Sequence, residues 1–114
     1  MPPTFGKSLR EIRRAKNISQ RDLAQKIGVD FSYISKLEND RLPPPAADTI
    51  VRICDVLDTP QEQLLALTGK VSNEMKETIA SSAAAMQFIR NAKTMNLTEE
   101  EWQKLNKQLK RLRR

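Results

Sequence analysis

Residues 20–39 read QRDLAQKIGVDFSYISKLEN, and the spacing of residue types in this stretch decides the fold. Gly28 separates two short helical segments and can close a tight turn, because glycine adopts the left-handed conformation at little cost. Ala24 supplies the small side chain that is needed where two such helices touch. Apolar residues that would seat both helices on one core lie on either side of the turn: Leu23, Ile27, Val29, Ile34 and Leu37. These features in one register predict a helix-turn-helix.

Caps and helix breakers divide residues 1–70 into five short predicted helices. The first runs from about Thr4 to Lys16. The second begins after Ser19, with Asp22 at the capping-box position, and the third ends at about Asn39. The third helix takes its cap from one of two polar residues, Asp30 or Ser32.

Three prolines at residues 43–45 forbid helix and predict a connection before the fourth helix, which begins at Ala47 or Asp48. Thr59 and Pro60 match an N-cap followed by a first-turn proline and would start the fifth helix. That helix is expected to close the core with three leucines and to end at a glycine: Leu64, Leu65, Leu67 and Gly69.

A second predicted unit spans residues 71–114. Apolar residues at helical spacing mark residues 73–95, which a serine pair at 81–82 can split into two helices, and Thr98 with Glu101 is a clear helix start. The apolar stripe of the last helix has coiled-coil spacing but is too short for a stable free coiled coil. It must pack on the preceding helix, on a second subunit, or on both. The candidate dimerisation residues are Met86, Ile89, Trp102, Leu105, Leu109 and Leu112.

Composition favours an all-α protein: a five-helix domain followed by a small helical unit. Hydrophobic residues make up 39% of the 114, which is enough for a modest core, and period-two alternation is rare. No apolar run approaches the roughly 20 residues of a membrane span, and no apolar stretch follows the N-terminal positive charges as in a signal peptide. We therefore expect a cytoplasmic protein that is not bound to a membrane.

The chain has a single cysteine, Cys54, and no histidine. An intramolecular disulfide is therefore impossible, and zinc sites of the Cys/His type are excluded. The apolar neighbours of Cys54 favour a buried small hydrophobe over a redox sensor. The sequence also lacks a Gly-rich phosphate loop and paired carboxylates in a credible cleft. We expect neither a cofactor nor enzymatic activity.

The net charge is +6, and residues 71–114 carry most of the surplus, with 9 basic and 5 acidic side chains against 11 and 9 in residues 1–70. A basic surplus suits a polyanionic partner. The basic face of the last helix is either an arm that holds DNA or an acidic partner, or a solvated face favoured by the helix dipole. It consists of Lys104, Lys107, Lys110, Arg111, Arg113 and Arg114.

The pattern LREIRRAKNISQRDLAQKIGVDFSYISKLEND, which begins at Leu9, and the five-helix layout to about Leu67 resemble the lambda-repressor-like helix-turn-helix family, also called the XRE or Cro/repressor family. The resemblance implies a regulator that binds an operator in double-stranded DNA, usually as a dimer. This chain departs from the family pattern in two places. Asp40 stands where the family usually has glycine, and the triple proline lengthens the turn that follows.

In a helix-turn-helix of this kind, the N-terminal half of the second helix of the motif enters the major groove. Lys36 could donate to guanine O6 or N7, and Phe31 suits a thymine methyl group. Tyr33 could stack on a sugar edge and donate to a phosphate. Alternatively, Phe31 and Tyr33 pack on the core of the motif. The candidate base-reading residues are Phe31, Ser32, Tyr33, Ser35 and Lys36.

The resemblance also implies roles around this helix. Gln20 occupies a family position that binds phosphate at the N-terminus of a helix, where an anion is favoured. Asn39 and Arg41 match family positions that contact the DNA backbone on the other side, whereas Arg21, next to Gln20, is either a further phosphate contact or an exposed arginine without a role. The candidate phosphate-binding residues are Gln20, Arg21, Asn39 and Arg41. Arg13 and Glu38 match an arginine–glutamate pair of the family, and we expect them to brace the recognition helix rather than to touch DNA.

The leading hypothesis is a dimeric repressor that occludes a promoter by binding a near-palindromic operator. One recognition helix reads few bases, and two related by a dyad read half-sites about one helical turn apart. The alternative is an antitoxin-like or peptidase-inactivated repressor. Its C-terminal unit would bind a protein antagonist, a toxin or a metallopeptidase, because residues 86–102 resemble C-terminal segments of repressors encoded beside such peptidases.

Overall fold

The computed structural model describes residues 3–113. Residues 1 and 2 of the first predicted domain lie outside the described residues, and so does Arg114, which belongs to the second domain and to its predicted basic face. The described residues form eight helices and no strand, which confirms the all-α prediction. The helices are α1 (Phe5–Ala15), α2 (Gln20–Ile27), α3 (Phe31–Glu38), α4 (Ala47–Val56), α5 (Glu62–Thr68), α6 (Asn73–Ala80), α7 (Ala83–Met95) and α8 (Glu99–Arg111).

Local capping explains where the first helices begin and end. The Thr4 side chain accepts a hydrogen bond from the backbone N–H of Lys7 at the start of α1, and Ser19 accepts one from Asp22 at the start of α2. Each such bond satisfies one of the N–H groups that a helix N-terminus leaves without a partner. Gly28 ends α2 in the left-handed conformation with φ at 78°, as the sequence predicts. Asp30 is the N-cap of α3 by position, but its side chain makes no capping hydrogen bond.

The start of α5 differs from the prediction. The helix begins at Glu62 after Gln61, and not at the predicted Thr59–Pro60 step. The Thr59 hydroxyl donates to the Leu57 carbonyl, 3.5 Å away, instead of accepting from a downstream N–H group. The prediction that Leu67 closes the core was also wrong, because this side chain is 40% exposed.

The core of the first unit is one cluster built from α1 to α5. Its most deeply buried large side chains are Leu9, Leu23, Ile34, Leu37, Ile50, Ile53, Leu57 and Leu64. Cys54 lies in this cluster as a free thiol, and burial, followed by the charges of Asp55 and Glu62, raises its pKa to about 11. At neutral pH the thiol therefore stays protonated and weakly nucleophilic, as expected for a structural cysteine.

The described residues divide into two compact units, with the boundary between Met75 and Lys76. The sequence places the boundary earlier, between residues 70 and 71. The ammonium group of Lys70 donates to the carbonyl oxygens of Pro44 and Pro45 at 3.1 and 2.8 Å. The side-chain amide of Asn73 donates to Asp48 at 2.6 Å. These contacts hold the segment after α5 on the first unit.

The second unit is the α7–α8 pair with the end of α6. A capping box starts α8, because Thr98 accepts from the backbone N–H of Glu101 and the Glu101 carboxylate accepts from the backbone N–H of Thr98. The backbone N–H and the hydroxyl of Thr98 both donate to the Glu101 carboxylate, at 3.0 and 3.1 Å, and these two bonds lower the pKa of the Glu101 carboxyl. Ala92 is the buried hydrophobic residue among the described part of this unit, whereas Trp102 and Leu105 are half-buried. The remaining candidate dimerisation residues are exposed: Met86, Ile89, Leu109 and Leu112.

A helix that spans a membrane must be both long and apolar enough to cross the bilayer. None of the described helices combines these two properties.

Candidate nucleic-acid interface

The helix-turn-helix is formed by α2, the turn at Gly28 and α3. Ala24 is 1% exposed, and its carbonyl accepts hydrogen bonds from the backbone N–H groups of Gly28 and Val29, both at 2.9 Å. Both helices of the motif bury one face in the core. The buried side chains of these two faces are Leu23, Ile27, Ile34 and Leu37.

The other face of α3 carries the candidate base-reading residues. Phe31, Ser32 and Lys36 are exposed, and Phe31 has 40% of its surface accessible. Ser35 and Tyr33 are half-buried, and Tyr33 packs against the core cluster. Of the two aromatic residues, Tyr33 thus has the packing contact that the alternative reading requires, while Phe31 projects from the first position of α3.

A buried ion pair connects α1 to the end of α3. The guanidinium of Arg13 makes a two-pronged contact with the Glu38 carboxylate, with Nε 2.6 Å from Oε2 and Nη2 2.9 Å from Oε1. Its remaining nitrogen donates to the carbonyl of Ile18 at 2.9 Å. Neither side chain is more than 9% exposed. Arg13 and Glu38 therefore form a buried ion pair, and their role as a brace for the recognition helix stays a prediction.

Two residues outside the predicted pair also contact Glu38. The side-chain amide of Gln20 donates to Oε1 at 2.8 Å, and Nε of Arg10 lies 3.5 Å from the same oxygen. Sequence reasoning missed Arg10 in this network. A signal was present, because Arg10 and Arg13 are three residues apart and therefore share a face of α1.

The charge state of Glu38 follows from these contacts. Burial by itself would raise its pKa, but the hydrogen bonds from Arg13 and Gln20 and the charges of Arg13 and Arg10 outweigh burial, so the pKa is lowered. The pKa of Arg13 is raised, mainly by its hydrogen bond to Glu38. Both groups therefore remain ionised at neutral pH, and α1, α2 and the end of α3 share one carboxylate.

The candidate phosphate-binding residues differ in whether their side chains already have hydrogen-bond partners within the protein. The Asn39 side chain donates to the carbonyl of Ser35 at 2.9 Å and accepts from Arg10 at 2.7 Å. Arg41 is exposed just after α3, and Arg21 is exposed with its guanidinium over the ring of Phe31. Gln20 and Asn39 therefore have internal partners, while the two arginines present their charge at the surface.

Gly6 in α1 and Asp40 after α3 contact each other at the C-terminal end of α3. Sequence reasoning did not assign them a role there. Asp40 has φ at 56°, a region that favours glycine, which explains the usual glycine of the resembled family. Here the Asp40 carboxylate accepts from the backbone N–H of Gly6 at 3.0 Å and from the Thr4 hydroxyl at 2.6 Å. A Cβ atom at Gly6 would lie 2.3 Å from the carbonyl oxygen of Leu37.

Comparison with known proteins tests the function that these features suggest. A model of the helix-turn-helix family matches residues 9–64. The HTH-type transcriptional regulator RghRB of Bacillus subtilis (strain 168) is 30% identical over 113 residues, covering 91% of this chain and 81% of the relative. The HTH-type transcriptional repressor RghR of the same organism is 29% identical over 111 residues, covering 92% of this chain and 82% of the relative.

Two solved structures share the fold. The biofilm master regulator SinR in complex with DNA has a TM-score of 0.51 and 31% identity, over 54% of this chain and 98% of that chain. A SinR–SinI protein complex has a TM-score of 0.53 over 94% of this chain and 95% of that chain, and at 24% identity it shows the fold alone. The relatives are transcription regulators and not enzymes, which confirms both the family and the absence of an enzymatic role predicted from the sequence. This chain belongs to the helix-turn-helix family of transcriptional regulators.

Proposed function

We propose that this protein represses transcription by binding double-stranded DNA through the N-terminal half of α3. The observation that carries the proposal is the two-sided character of α3. Ile34 and Leu37 are fully buried in the core, while Ser32 and Lys36 are exposed on the same short helix. A helix that is seated in this way can enter the major groove with its polar side chains directed at base edges.

The relatives support this proposal. SinR, which is 31% identical to this chain over 54% of its length, has been solved in complex with DNA, and RghR is a repressor with 29% identity over most of this chain. Repression by occlusion requires only a DNA-binding surface and enough affinity to exclude another protein from the promoter. A protein with this role acts where the chromosome is, so we expect it in the cytoplasm.

The proposed active form is a homodimer joined through the second unit. Three candidate dimerisation side chains in α7 and α8, and Leu112 at the C-cap of α8, are exposed, between 42% for Ile89 and 74% for Leu112. Burying such apolar surface against a second copy would be favourable. It would also pair two recognition helices for two half-sites. A toxin or metallopeptidase as a protein antagonist of this unit stays a prediction.

Selection of bound duplexes from random-sequence DNA tests the proposal directly. A dimeric operator-binding protein should enrich a motif with approximate two-fold symmetry and half-sites about one helical turn apart. Enrichment of one unrepeated half-site, bound by one chain, would contradict the dimer. No enriched motif at all would contradict sequence-specific binding. A promoter that carries the selected motif, placed before a reporter gene, then tests repression, and increased expression would contradict it.

Lys36→Ala is expected to relax the preference at one base-pair position of the selected motif by about 1–3 kcal/mol, because a lysine that donates to guanine discriminates against other bases. Competition binding with a set of single-base variants of the motif measures the effect. Arg41→Ala is the matched control. It removes one exposed positive charge after α3 and should weaken binding to all variants alike. Gln20→Ala is a poorer control, because Gln20 also donates to Glu38. Equal behaviour of Lys36→Ala and Arg41→Ala would contradict a base-reading role for Lys36.

A further inference from the structure

Arg21 and Phe31 contact each other across the helix-turn-helix. The guanidinium carbon Cζ of Arg21 lies 4.6 Å from the centroid of the Phe31 ring. Arg21 is the second residue of α2, and Phe31 is the first residue of α3. The contact therefore joins the N-terminal turns of the two helices of the motif.

The ring is the partner of Arg21 within the described residues. Across residues 3–113 the Arg21 side chain makes no ion pair and no hydrogen bond. Two carboxylates are close in sequence, because Asp22 follows Arg21 and Asp30 precedes Phe31, but neither pairs with Arg21. A guanidinium is attracted to the face of an aromatic ring at this distance. Stacking restricts the side chain without using its N–H donors, which stay available for an anion.

The exposure of Phe31 is unusual for a large aromatic side chain and needs an explanation. A direct contact with a thymine methyl group is one, and it is the role that the sequence suggests. Support for a neighbouring cation is another, and it is already present in the free protein. An exposed arginine loses rotamer freedom when it binds, so a side chain that is held beforehand binds more tightly.

We propose that Phe31 is a positioning residue that holds the guanidinium of Arg21 in place to bind a phosphate of the DNA duplex. In this arrangement Phe31 increases the affinity for every sequence through Arg21 and reads no base itself. The proposal deepens the proposed function and rests on it, because the phosphate belongs to the DNA that α3 engages. It reassigns Phe31 from base reading to the support of phosphate binding.

The test compares four variants with the unmodified chain: Phe31→Leu, Phe31→Tyr, Arg21→Ala, and Phe31→Leu combined with Arg21→Ala. Binding to a labelled random-sequence duplex is measured by fluorescence anisotropy over a series of salt concentrations. The same duplex with deoxyuridine in place of thymidine removes every thymine methyl group. Thermal unfolding of each variant checks that the fold is retained.

Phe31→Leu should weaken binding about threefold to tenfold, while Phe31→Tyr, which keeps the aromatic face, should bind like the unmodified chain. Arg21→Ala should lower the slope of log K against log salt by up to about 0.9, the share of one phosphate contact. Because Phe31 acts through Arg21, the double variant should bind no more weakly than Arg21→Ala alone. The deoxyuridine duplex should bind like the thymidine duplex. A purely structural role of Phe31 would not give this non-additivity with Arg21→Ala, and it would lower the temperature of thermal unfolding of Phe31→Leu.

Other results would overturn the inference. If Phe31→Leu binds as tightly as the unmodified chain, or if the two single losses multiply in the double variant, Phe31 does not act through Arg21. If deoxyuridine weakens the unmodified chain but not Phe31→Leu, the ring reads methyl groups. These outcomes leave the proposed function intact. If the unmodified chain binds neither the random-sequence duplex nor a duplex that carries the selected motif, the proposed function fails and this inference fails with it.

Discussion

Replacing Arg13 with alanine is expected to lower the free energy of unfolding by about 3 kcal/mol. The side chain of Glu38 is inaccessible to solvent, and Arg13 is its two-pronged partner. Without Arg13 the buried carboxylate keeps only the amide of Gln20 and the guanidinium of Arg10, whose Nε is 3.5 Å away. These remaining partners place the loss at the lower end of the range for a broken buried ion pair, which is about 3–5 kcal/mol. Urea unfolding followed by circular dichroism measures it.

Arg14→Ala is the matched control for this prediction. Arg14 is the next residue on α1 and is exposed, so its loss should change the free energy of unfolding by no more than about 0.5 kcal/mol. Arg13→Ala combined with Glu38→Ala should cost clearly less than the sum of the two single variants, because the double variant no longer buries a carboxylate without its main partner. Strict additivity would mean that the pair is not coupled and that the brace has no energetic basis.

The same pair makes the stability depend on pH in acid. Because the pKa of Glu38 is lower in the folded chain than its ordinary value of about 4.3, its contribution to stability is fully present above that value. The contribution is lost as the pH falls through the lowered pKa of the folded state. The free energy of unfolding should therefore decrease more between about pH 6 and about pH 3 for the unmodified chain than for Glu38→Gln. An equal decrease in both would mean that the pKa of Glu38 is not lowered in the folded chain.

Local signals in the sequence predicted most of the fold. The Ser19 cap, the left-handed Gly28 and the Thr98–Glu101 capping box depend on residues close in the chain, and the structure has all of them. The start of α5 was missed because Thr59 and Pro60 satisfy the pattern of a helix start equally well when the helix begins later. The sequence around Thr59 does not determine whether its hydroxyl caps a helix or donates to the carbonyl of Leu57.

The candidate site was predictable only where helical position alone determines exposure. Ser32 and Lys36 follow from the register of α3 once Ile34 and Leu37 are assigned to the core. The sharing of Glu38 by Arg10 and Gln20 depends on how three helices pack, and residue spacing along one helix does not specify it. The close approach of α1 to the end of α3 also depends on helix packing, so the sequence pattern did not predict it.

That close approach leads to the second large effect. Gly6→Ala is expected to lower the free energy of unfolding by about 3 kcal/mol, at the upper end for an overpacked core. The new methyl group would lie 2.3 Å from the Leu37 carbonyl oxygen and 2.8 Å from that of Glu38. Both are backbone atoms at the C-terminal end of α3, so no side-chain rotation relieves the contact. Alanine is otherwise the better helix former by about 1 kcal/mol, so the steric cost has to exceed that gain.

Gly28→Ala separates this steric effect from backbone strain. Gly28 has φ at 78°, and a Cβ atom there would have no neighbouring atom within 4 Å, so its substitution strains only the turn, by about 1–2 kcal/mol. Gly6→Ala should also move the C-terminal end of α3, and backbone amide chemical shifts of residues 36–40 should report the displacement. We further expect weaker DNA binding by the fraction of Gly6→Ala that remains folded, because α1 and α3 must separate. If Gly6→Ala is as stable as the unmodified chain, the end of α3 is not fixed by its contact with α1, and the brace at Glu38 must position the recognition helix alone.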